Sequence, residues 1–121
     1  MVYPYQHDLN TMKKNKRIID IGKDFSRFPA GRFLSDGPNN GEKFQLDFLI
    51  PVMKKDEPVI IELDNTAGYG SSFLEEAFGG LIRKGYTAEQ IHHCLSFSSQ
   101  DPSLIAEINS YIDEASQETL S

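Results

Sequence analysis

Two adjacent hydroxyls, Ser71 and Ser72, end the stretch Gly68-Tyr69-Gly70-Ser71-Ser72, directly after the apolar run Val59-Ile60-Ile61-Glu62-Leu63. A buried strand that feeds a helix through a glycine-rich turn holds hydroxyls and backbone N–H groups at a fixed surface point, where an anion, a phosphoryl group or a partner can be received. Serine in such a place can be a nucleophile, a phosphoryl acceptor or a helix cap. The nucleophile elbow needs G-x-S-x-G, but Phe73, Leu74 and Glu75 follow the serines here, and 121 residues are too few for an α/β-hydrolase. The phosphate-loop pattern G-x-x-x-x-G-K-[ST] is also absent, which leaves no lysine for nucleotide hydrolysis. Capping and phosphoryl acceptance remain, and Ser72 with Glu75 three residues on has the spacing of a capping box.

Other groups bear on chemistry. Arg32 is a lone cation among Phe28, Phe33 and Leu34, with Ser35 and Asp36 beside it. Its guanidinium is expected to pair with Asp36; the alternative is an external phosphate or carboxylate, an anion site of Arg32, Ser35 and Asp36. His92-His93-Cys94 has metal-ligand residue types, but adjacent residues seldom aim at one ion and no second ligand pair accompanies them, so no metal and no cofactor is expected. Glu75 and Glu76 read as a cap and a solvated face rather than an acid–base pair. Gly79-Gly80 is unusual inside a helix, where each glycine costs about 1 kcal/mol relative to alanine; the pair implies close approach of another backbone.

Positioning these groups requires one domain, and 121 residues build one core. The net charge of -6 argues against nucleic acid as a partner, and the cluster Lys13-Lys14-Asn15-Lys16-Arg17 reads as a solvated lead-in. No apolar run spans a bilayer, the first residues lack a secretory signal, and the single Cys94 suits a reducing compartment; a cytoplasmic, non-membrane protein is expected.

The periodicities give an element order. Residues 1–15 are a lead-in without pattern, 16–116 form the domain, and 117–121 should fray. Residues 17–22 read as a strand, and 24–34 as a second strand or hairpin arm broken by Pro29 and Gly31. Asn40 should cap a helix with Phe44, Phe48, Leu49 and Val52 on one face, kinked or shortened at Pro51. Val59–Leu63 is a central strand, and a helix from Ser71 or Ser72 carries Phe73, Leu74, Ala77, Phe78, Leu81 and Ile82 to a stop at Gly85. A helical turn near 87–93, a strand Leu95–Ser98 and a helix capped by Asp101 with Pro102 at its first position complete the chain. This alternation predicts an α/β fold with a mixed or largely parallel sheet and flanking helices.

Gly31-Arg32-Phe33-Leu34-Ser35-Asp36-Gly37, the helix start at Gly41-Glu42-Lys43-Phe44, the 59–64 strand and Gly70-Ser71-Ser72-Phe73-Leu74-Glu75-Glu76-Ala77-Phe78-Gly79-Gly80-Leu81 together resemble the bacterial STAS-like domain family, over about residues 17 to 115. The family has no established activity and is related to STAS domains of anti-sigma-factor antagonists and sulphate transporters. The resemblance implies about four strands flanked by helices. It also implies a phosphoserine switch: in anti-sigma-factor antagonists a serine at the helix start, within Asp-Ser-Ser-Gly, is phosphorylated by an ATPase-type kinase. Ser71 best matches that serine, with Ser72 next to it; Gly70 replaces the aspartate and Phe73 the glycine. The expected role is a non-enzymatic regulatory module that binds a protein partner, such as a histidine-kinase-type ATPase, through Tyr69, Gly70, Ser71, Ser72, Phe73 and Glu76 with the 31–42 loop. Alternatives are an anion- or nucleotide-sensing domain, or a homodimer or structural subunit of a bacterial or phage-related assembly.

Overall fold

In the computed structural model, which describes residues 17–120, three short strands run parallel in the order β1-β2-β3: β1 Arg17–Asp20, β2 Val59–Glu62 and β3 Leu95–Ser98. Arg17 pairs with Val59, and Val59 in turn with Leu95. Each crossover is helical: α1 (residues 41–55) joins β1 to β2, and α2 (71–83) with α3 (Ala88–Cys94) joins β2 to β3. Helix α4 (Pro102–Leu120) follows β3 and continues past residue 116, where the sequence reading ended the domain. The expected lead-in, residues 1–15, lies outside the described residues.

The sheet differs from the expected four strands: among the described residues it has three. Residues 24–34 are not a strand, because their backbone groups are spent elsewhere. The Ser26 N–H bonds the Ile21 carbonyl, the Arg27 carbonyl accepts the Ala67 N–H, the Asp36 carboxylate accepts the N–H groups of Arg32 and Phe33, and Ala30 donates to the Asn39 carbonyl. Gly31 has φ +94°, which suits glycine and breaks the extended chain. Phe25 turns inward instead, its ring 5.3 Å from that of Phe44.

Helices α1 and α2 each widen by one residue midway. In α1 the wide π-turn covers Gln45–Leu49, and the Ile50 N–H bonds the Gln45 carbonyl five residues back. Pro51 explains it: with no N–H to give and a ring that crowds the preceding turn, proline is accommodated by local widening, and the helix runs on to Lys55 rather than stopping. In α2 the widening covers Glu75–Gly79, with the Gly80 N–H on the Glu75 carbonyl.

One sheet face is covered. Ile19, Val59, Ile61 and Leu95 on it are buried, and Phe97 meets Phe78 of α2 edge-on at 5.3 Å. The apolar face read for α2 is entirely buried, and Phe44 of α1 packs between Phe73 and Phe78. Helix α4 lies against α2, burying Ile108, Ile112 and Ala115. The opposite sheet face carries Ile18, which is 56% exposed, with Ile60 half-buried and Ser96 exposed.

Candidate functional site

The carboxyl end of β2 leads through residues 63–70 into the first turn of α2, and the 26–40 loop is pressed against this connection. The Arg27 carbonyl accepts the Ala67 N–H at 2.8 Å, and the Pro29 carbonyl accepts the Gly70 N–H at 3.4 Å. Gly41 lets α1 and α2 come close: a Cβ there would lie 2.5 Å from the Phe73 carbonyl oxygen. Asn40 caps α1 as expected, its side chain accepting the Lys43 N–H at 2.8 Å.

Ser71 and Ser72 are both exposed in the first turn of α2. The capping residue is Gly70 rather than either serine, with no side-chain bond to the cap. The expected Ser72–Glu75 capping box does not form, because the Glu75 carboxylate is engaged elsewhere. It bonds Arg32, and it takes both arms of Arg83 at 2.8 and 2.9 Å. Arg32 also reaches Glu76 at 3.4 Å, and Arg83 reaches it at 3.0 Å. Two carboxylates and two guanidiniums thus form one network that ties the 31–36 loop to α2. The hydrogen bond from Arg83 holds the Glu75 carboxyl below its usual range, with Arg32 adding to the effect and burial opposing it.

Arg32 is therefore not paired with Asp36, which serves backbone N–H groups instead, and its guanidinium is already taken up by Glu75 and Glu76. Ser35 is exposed on the short turn Leu34–Asp36. Arg32 reaches to α2 while Asp36 closes its own turn.

The residues expected to meet a partner differ in exposure. Tyr69 is half-buried, its hydroxyl donating to the Leu63 carbonyl at 2.8 Å, and burial pushes its pKa up to about 12. Phe73 is fully buried in the aromatic cluster and Glu76 is largely buried in the ionic network, so neither presents a docking surface. Helix geometry accounts for this, since residues two and five places beyond Ser71 turn toward the sheet and α1. The exposed large apolar side chains beside the serines' loop are Phe28, Phe33 and Leu34, at 65%, 49% and 56% exposure.

Gly79-Gly80 serves close approach, as the sequence implied, on two sides. A Cβ at Gly79 would lie 3.1 Å from the Tyr111 carbonyl oxygen of α4 and 2.7 Å from Glu75 Oε2. A Cβ at Gly80 would lie 2.6 Å from the Gln45 side-chain amide. That fully buried amide, which the sequence reading missed, donates to the Glu76 carbonyl at 2.8 Å, one of the carbonyls beside the widened turn of α2. The signal was available as a polar residue beside Phe44 inside an apolar helix face.

Cys94 is buried at the end of α3, its thiol against the Asp56 carboxylate at 3.4 Å and pushed up in pKa by burial and by Asp56, while His92 and His93 are exposed. Among the described residues no three His, Cys, Asp or Glu side chains are arranged to hold a metal ion, and no helix is long and apolar enough to cross a membrane. No curated protein and no solved structure matches the chain. The STAS-like domain of unknown function does match, over residues 40–103, from the Asn40 cap through α1, β2, the serine-bearing turn, α2 and β3; the chain belongs to that family.

Proposed function

We propose that this STAS-like domain is a non-enzymatic regulatory module that docks a protein partner at the first turn of α2 and the adjoining 31–42 loop, and that phosphorylation of Ser71 or Ser72 switches the docking. The partner is an ATPase-type kinase, which transfers the terminal phosphoryl group of ATP to the serine oxygen; the hydroxyl proton leaves and ADP is released. One observation carries the reading. Both serines sit exposed in the first turn, and neither is consumed in capping, since Gly70 takes the cap position and Glu75 is held by two arginines. Phe28, Phe33 and Leu34 supply apolar surface on the loop next to them, and a phosphate of about -1.5 to -2 charges would alter such a surface while being tolerated at a helix N-terminus. The acidic and ionic groups nearby are engaged with one another, which supports a binding rather than a catalytic surface.

The test is capture from the native host by the wild-type protein, Ser71→Asp and Ser72→Asp, read by mass spectrometry. A kinase or other partner held by wild type and lost with one variant supports the switch and identifies the serine. Equal capture by all three removes it. Aspartate in a first helical turn is compatible with the helix dipole, so loss of binding would not reflect loss of fold.

A further inference from the structure

We infer that Ser72, rather than Ser71, is the serine of the switch just proposed, on whose reading this rests. A phosphate there acts by drawing Arg32 off Glu75 and Glu76, which loosens the 31–36 loop from α2. Helix geometry separates the two serines. The first turn of α2 is regular, the Glu75 N–H bonding the carbonyls of Ser71 and Ser72. At about 3.6 residues per turn, Ser72 lies one turn before both Glu75 and Glu76, on the meridian between them. Ser71 lies one turn before Glu75 alone, although it is the better match in sequence.

The network has no cation to spare, since two carboxylates balance two guanidiniums. A phosphate on Ser72 therefore fills no vacant site. It upsets the balance, placing about -1.5 to -2 charges one turn from two carboxylates. Of the two guanidiniums, Arg32 is the one placed to respond. It holds both glutamates through a single nitrogen, Nη1, whereas Arg83 uses two and grips Glu75 at 2.8 and 2.9 Å. Arg32 is also rooted beside the serines: the Gly70 N–H bonds the Pro29 carbonyl, and a Cβ on Gly70 would lie 3.7 Å from the Ala30 Cα. Arg83 is rooted at the far end of α2. A doubly charged phosphate offers Arg32 a stronger, paired acceptor than two carboxylates shared with Arg83. The loop itself stays folded, because its Gly31 and Arg32 carbonyls accept the Gly41 and Glu42 N–H groups and the Leu34 N–H bonds the Glu42 carboxylate. What changes is its tie to α2, and with it the placing of Phe33 and Leu34, the exposed apolar surface beside the serines.

Side-chain and backbone NMR tests it, on full chains carrying phosphoserine by directed incorporation at position 72 or at position 71, with the β-strand amides as the control for fold. Expected with phosphate at 72 are a shifted Arg32 Nε–H signal, an unmoved Arg83 signal and shifts at the amides of Phe33 and Leu34. Phosphate at 71 should move the Arg32 signal less. In Arg32→Gln protein, phosphate at 72 should no longer move the two loop amides. An unmoved Arg32 signal with phosphate at 72, equal movement from either serine, or loop shifts that persist in Arg32→Gln overturn the proposal. The measurement needs no kinase, so its failure is distinct from that of the capture test. Capture indifferent to both aspartates removes the switch whatever Arg32 does; an unmoved Arg32 removes the part given to it here and leaves the docking reading in place.

Discussion

At the scale of single residues, the chain spends its glycines where two backbones or a carboxylate must come close. Gly41 and Gly80 make the point quantitatively. An alanine Cβ at 41 would lie 2.5 Å from a backbone oxygen of α2, which cannot move without separating the helices, whereas at 80 it meets chiefly the far end of the Gln45 side chain. Gly41→Ala should therefore cost more than Gly80→Ala, the latter about 1–3 kcal/mol by overpacking; urea denaturation of the two variants checks the order. Glu75 yields a prediction in pH. Its carboxyl is lowered in the folded protein, first by Arg83 and then by Arg32 against the opposing effect of burial. A depressed folded value means that the stabilisation is present above the unfolded value of about 4.3 and is lost as pH falls through the lower folded one. Arg83→Gln should thus flatten the acid-side loss of stability below that pH, and unfolding midpoints measured from neutral pH downward would show no such flattening if the network contributed nothing.

At the scale of elements, the sequence was legible wherever period and punctuation agreed. The apolar stripe of α2, the Asn40 cap and the Gly85 stop, whose φ is +105°, all stand as read. It was illegible where a side chain's partner lies far along the chain. Nothing local shows that Glu75 abandons a capping box for Arg83 and Arg32, or that Asp36 closes its own turn and leaves Arg32 to α2. The widened turns were half legible: Pro51 announced a disturbance, but widening rather than termination depends on packing that continues to Met53. In α2 the widened turn is met by Gln45, whose amide donates to the Glu76 carbonyl. Gln45→Ala should leave that buried carbonyl without its donor and cost about 1–3 kcal/mol. Because the Gly80 position is crowded by that same amide, the Gln45→Ala/Gly80→Ala protein should be destabilised by less than the sum of the single changes. A double-mutant cycle reads this directly, and strict additivity would show that the two sites do not share the space.

At the scale of the whole molecule, the described residues build a parallel sheet with helices against one face, although parallel sheets are ordinarily covered on both. The reading of 24–34 as a strand failed for a related reason: alternation and turn residues can mark a segment as extended, but pairing needs free backbone groups, and here the caps and turns had taken them. What remains is a two-sided contrast within a single strand. Ile18 and Ile19 are identical in type and adjacent in β1, yet Ile18 is 56% exposed and Ile19 only 1%. Period-two geometry alone separates them. Ile19→Ala removes packed methyl groups from the core face and should cost about 2–5 kcal/mol, whereas Ile18→Glu changes a side chain that the sheet leaves in solvent and should stay within roughly 0.5 kcal/mol. Thermal or urea unfolding of the two variants decides it. A large loss with Ile18→Glu would mean that this face is covered in the intact chain, and the sheet would then have to be redrawn with a second layer.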